Sequence, residues 1–151
     1  MTAKAEFNAE EWDVVVGAPL LAAMMVIAAD KGGSVRETLA VARDYAAARE
    51  AHDGELMSAI LASAPATDAS KRAGARGELA SAAPAALREA IAILERVATP
   101  EEVVEYKRFA YALAESAARA HREGGLLRRA ASDVSEAEQT ALDAIAEVFD
   151  E

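Results

Sequence analysis

Two short stretches hold the residues best suited to chemistry. One is "ADKGGSVRE", residues 29–37, and the other is "AHREGGLLRRAASDVSEAE", residues 120–138. Each has an acid near a glycine pair, then a serine that opens a helix with glutamate three positions on. Asp30 and Glu37 supply the carboxylates of the first, Glu123 and Glu138 those of the second. Hard cations need several oxygen ligands converging on one point, and these four make one candidate divalent-cation set. A plainer reading stands beside it. Glu37 and Glu138 have a full account as return carboxylates to Ser34 and Ser135, complementing the helix dipole. Asp30 and Glu123 lie near helix C-termini, where the dipole disfavours an anion, so they are the better functional candidates. Lys31 opposes cation binding by charge repulsion, and no EF-hand loop is present.

The second stretch also holds the one basic-apolar run, with Arg122, Leu126, Leu127, Arg128 and Arg129 beside His121. It can dock on an acidic partner or a membrane surface, or its leucines can tuck back while the arginines stay wet. His121 reads as a helix-end cap, with acid–base work beside a carboxylate as the alternative. Trp12 is a core or rim anchor, or a contact for a partner protein. No nucleophile elbow or phosphate loop is visible, so an enzyme is disfavoured and no organic cofactor is expected.

Composition narrows the class. The chain has 151 residues, 53% of them hydrophobic but only 5% aromatic, and alanine is the commonest. Alanine is the best helix former, so an all-α single domain is expected. A net charge of −10 argues against binding nucleic acid. With no cysteine there is neither a disulfide framework nor a thiolate nucleophile. The polar start "MTAKAEFNAEEW" lacks the pattern of a signal peptide, so a cytoplasmic protein is expected. Residues 14–29 carry no charge. Gly17 and Pro19 interrupt that run, and it reads as a buried central helix rather than a transmembrane segment.

Periodicity and caps then place about six helices. Asn8 and Glu11 form a capping box ahead of a helix toward Gly17, and Pro19 is expected to break or kink it before it resumes to Asp30. A Ser34-capped helix to His52 is expected to bury Val35, Leu39, Ala42 and Ala46. Residues 55–63 read as a short helix and 64–77 as a long loop. Pro84 suits the first turn of a helix to Ala98. Thr99, Pro100 and Glu102 give the clearest start, for a helix to Glu123 with Val103, Tyr106, Ala110, Leu113, Ala117 and Ala120 inward. A last helix follows Ser135, with Leu142, Ile145, Ala146 and Phe149 inward.

The paired pattern of Ala-rich helix, acid, Gly-Gly and Ser-capped helix suggests two related helix-loop-helix halves. It resembles tellurite-resistance TerB-like domains, which are all-helical and of about this length. That resemblance implies a metal-binding surface built from loop acids, which by position would be Asp30, Glu37, Glu123 and Glu138. Asp30-Lys31-Gly32 stands where the family has Asp-Gly, and Glu123 stands in place of an Asp. The C-terminal "EGG…VSEAE" is similar to that of small bacterial proteins of no assigned activity. The sequence therefore leads to a small helical interaction protein, non-enzymatic and stress-related. A cation-binding module and a self-associating structural protein are the alternatives.

Overall fold

The computed structural model describes residues 2–29, 35–52, 54–63, 76–123 and 136–150, with the main chain alone at 35–38, 76–79 and 121–123. Among them are six α-helices and no strand. A 3-10 turn, Lys4–Glu6, precedes α1 (Ala9–Ala29), α2 (Val35–Ala51), α3 (Glu55–Ala62), α4 (Arg76–Val97), α5 (Pro100–Glu123) and α6 (Glu136–Asp150). The all-α expectation holds. The helix-loop-helix pairs expected of two halves would be α1–α2 and α5–α6, and the Gly-Gly segments between them lie outside the described residues.

Helices α1 and α5 form the centre, each packing against all the others. Along α1 the buried side chains include Trp12, Val15, Val16, Ala18, Ala22, Ala23, Met25 and Val26. Burial on most sides explains why this helix shows no polar stripe. By length and composition alone α1 could cross a membrane, and half of its most apolar window is buried against the other helices.

Pro19 neither breaks α1 nor ends it. The helix runs unbroken from Ala9 to Ala29. A proline inside a helix leaves the carbonyl four residues back without its donor. Here that carbonyl belongs to Val15, and the buried Tyr106 hydroxyl of α5 donates to it at 2.7 Å. A tertiary hydrogen bond thus replaces the missing helical one. Pro84 is likewise internal to its helix. Helix α4 starts at Arg76, earlier than expected, because alanine-rich sequence ahead of the proline favours helix. It takes in the last residues of the expected 64–77 loop, of which 64–75 lie outside the described residues.

The buried face of α2 also differs from expectation. Val41, Tyr45 and Ala48 point inward, whereas Leu39, Ala42 and Ala46 are exposed. Burying Tyr45 and Val41 removes more apolar area than burying Ala42 and Ala46, so the helix rotates to bring the larger side chains in. In α5, Val103, Tyr106, Ala110, Leu113 and Ala117 are buried as expected, and Ala120 is half-buried.

Both described capping boxes form. Asn8 N–H donates to Glu11 Oε2 at 3.1 Å and Glu11 N–H to Asn8 Oδ1 at 2.8 Å. Thr99 N–H donates to Glu102 Oε2 at 2.9 Å, and Glu102 N–H to Thr99 Oγ1 at 3.2 Å. Glu102 does more than cap. Thr2 donates its N–H to Oε1 at 3.0 Å and its hydroxyl to Oε2 at 2.6 Å, tying the first residues to the α4–α5 turn.

Partial burial pushes the Glu102 pKa up, but the Thr2 and Thr99 hydrogen bonds outweigh it and hold the group at about 2. A folded pKa below the unfolded one stabilises the fold above the unfolded value, and that contribution is lost as pH falls through the folded value. Glu102→Gln should therefore be less stable than wild type at neutral pH. The gap should close between about pH 4.5 and about pH 2. Denaturant melts of both proteins at about pH 6, 4 and 3 check this, and a gap constant over that range would refute it.

Candidate binding groove

The exposed side of α5 has its own order. Glu101, Val104, Arg108, Ala112, Glu115 and Arg119 recur at three- and four-residue spacing, which sets them on one stripe away from the buried one. Asp44, Ala47, Ala48 and His52 form a matching stripe on and just after α2. The two stripes flank a groove of about 1020 Å³. Its lining extends along α5 from Pro100 to Arg119. At about 1.5 Å per residue that is roughly 28 Å along α5, faced by roughly 12 Å of lining on the α2 side from Asp44 to His52.

The floor is apolar and mostly alanine. Ala48, Phe109 and Leu113 close it from below, while Ala47 and Ala112 are exposed along its length. Phe109 is wedged edge-on against Tyr45, with ring centroids 5.4 Å apart, and against His52 at 6.4 Å. Val104 is 45% exposed at the lip, one of two large exposed apolar side chains among the described residues, the other being Leu39.

His52 and Glu105 meet across the groove. The His52 N–H donates to Ala48 O at 2.9 Å, finishing α2. Its Nδ1 lies 2.5 Å from Glu105 Oε1. With the proton on Nδ1, the imidazole donates to the carboxylate. The other Glu105 oxygen faces Gly54, where a Cβ would sit 3.8 Å away in ordinary contact. A carboxylate-oriented imidazole can take a proton on Nε2.

Four carboxylates, Asp44, Glu101, Glu105 and Glu115, line the groove against Arg108 and Arg119. Arg119 pairs with Glu115 at 2.8 Å, one turn back on the same helix. Beneath the groove the Tyr45 hydroxyl is buried with no hydrogen-bond partner, and burial raises its pKa far above the ordinary tyrosine value.

The residues singled out from sequence lie elsewhere or beyond description. Asp30, Leu126, Leu127, Arg128 and Arg129 are outside the described residues. Glu37, His121, Arg122 and Glu123 have helical main chain, in α2 and at the end of α5, with side chains not described. Glu138 is in the first turn of α6, 2% exposed and engaged with a partner. Among the described residues no three His, Asp or Glu side chains gather as a metal would require. Trp12 is 6% exposed, packed on Phe7 at 5.3 Å with the Lys4 ammonium 5.5 Å from its ring centre. That is the anchor reading of Trp12, and neither it nor Glu138 lines the groove.

Val104 was the one legible sign of the groove. Val104 follows Val103 by about 100° of helical turn and lies off the stripe of Val103, Tyr106 and Ala110. The His52–Glu105 pair bridges distant segments, and no local pattern announces it. Compared with family models, curated proteins and solved structures, the chain matches none.

Proposed function

We propose that the protein is a non-enzymatic binding module that holds an elongated segment of a partner protein in the α2–α5 groove. The observation that carries this is the shape of the groove. A trough that follows α5 for roughly 28 Å, with α2 as its second wall for roughly 12 Å of that, is longer than a small metabolite needs and suits a peptide segment. The exposed Val104 and alanine floor supply apolar contact, and the charged rim supplies orientation. Kinship with TerB-like domains and a role in stress-related assemblies belong to this proposal too, supported by the paired Gly-Gly and N3-glutamate pattern.

Amide chemical-shift mapping tests the reading. The probes are three designed amphipathic peptides of about 18 residues, a helical length matching the trough, with one leucine face and a lysine, glutamine or glutamate polar face. At least one should perturb Ala47, Val104 and Ala112 saturably. Ala112→Trp, which plugs the trough from an exposed position, should abolish that response. Perturbations centred elsewhere, or none with all three peptides, would remove the groove from consideration.

A further inference from the structure

We infer that the segment held in the α2–α5 groove is a helix with a basic polar face. This rests on the groove reading and adds the chemistry of the occupant. Charge gives the sign. The rim has four carboxylates and two guanidiniums; the Arg119–Glu115 pair cancels one of each, which leaves Asp44, Glu101 and Glu105 against Arg108. Neither the Asp44 nor the Glu101 carboxylate has an ion pair or hydrogen bond among the described residues. A net charge of −10 extends the same attraction beyond the rim. It also repels a second copy of the chain, which argues against self-association through this face.

Backbone chemistry gives the conformation. Both walls are helices, so their amides and carbonyls are engaged within their own turns. An extended peptide would find no ladder of main-chain partners there. A helix brings its own hydrogen bonds and needs only side-chain contact. The small side chains of Ala47, Ala48 and Ala112 let its axis come within about 8–10 Å of its neighbours. Lysines or arginines on its flanks then reach Asp44 and Glu101, while Glu105 stays held by His52.

Fluorescence anisotropy with the three peptides decides the matter. The lysine-faced peptide should bind about tenfold more tightly than the glutamine-faced one, and the glutamate-faced one most weakly. Raising salt from about 50 mM to about 300 mM should narrow the gap. Asp44→Asn with Glu101→Gln should narrow it at low salt, while Ala112→Trp weakens every peptide. Equal binding of lysine- and glutamine-faced peptides, still sensitive to Ala112→Trp, would overturn the basic occupant and leave the groove reading standing. Failure of all three would end both. Sedimentation as a dimer that Ala112→Trp dissociates would give the groove to a second copy and overturn the inference.

Discussion

Replacing Tyr106 with phenylalanine is expected to cost about 1–3 kcal/mol, the penalty for a buried carbonyl left without a donor. The volume hardly changes, so packing is not the cause. The lost hydroxyl stands in for the N–H that Pro19 cannot offer to the Val15 carbonyl. The cause can be isolated with a second change. Pro19→Ala restores a helical N–H at position 19, and in that background Tyr106→Phe should cost far less. A double-mutant cycle from denaturant melts measures the coupling, and a coupling near zero would refute the account. Tyr45 supplies the opposite case. Its hydroxyl is buried with no partner, so Tyr45→Phe should leave stability unchanged or raise it. Two buried tyrosines, each losing one oxygen, should thus differ: only the Tyr106 change destabilises.

The second large effect comes from adding atoms rather than removing them. Ala22 on α1 and Ala114 on α5 are fully buried in the two central helices. Leucine at either position has no free volume to enter and must push helices apart, for about 1–3 kcal/mol each. Ala46→Leu on α2 is the control, because Ala46 is exposed. It should stay within about 0.5 kcal/mol of wild type. In a chain of this size 1 kcal/mol moves the melting point by roughly 2–4 °C, so thermal melts separate the two groups. If all three variants melted together, close alanine packing would not be what sets the helix spacing.

The same alanines explain what could be read in advance. Capping boxes at Asn8–Glu11 and Thr99–Glu102 were legible because every participant lies within four residues. The inward stripe of α5 was legible because Val103, Tyr106 and Leu113 carry enough apolar area to fix a direction. Helix α2 misled because alanine suits either face, and the exposed Leu39 was mistaken for a core residue. The unbroken α1 was hidden for another reason. The donor that compensates Pro19 is Tyr106, 91 residues from the Val15 carbonyl it serves. The groove fell between these cases. Val104 announced an exposed apolar position, but its neighbours Asp44 and His52 meet it only through the packing of α2 on α5.

The central place of α1 also bears on how the chain is made. Helix α1 leaves the ribosome first among the helices, and its main partners, α4 and α5, follow only after residue 75. At about 5–20 residues per second, the emerged helix waits on the order of seconds before its apolar surface can be covered. By length and composition alone it could also enter a bilayer during that interval. The nascent chain thus passes through a period of competition between its own later helices and any apolar surface nearby, and the speed of translation helps decide which of them α1 meets first.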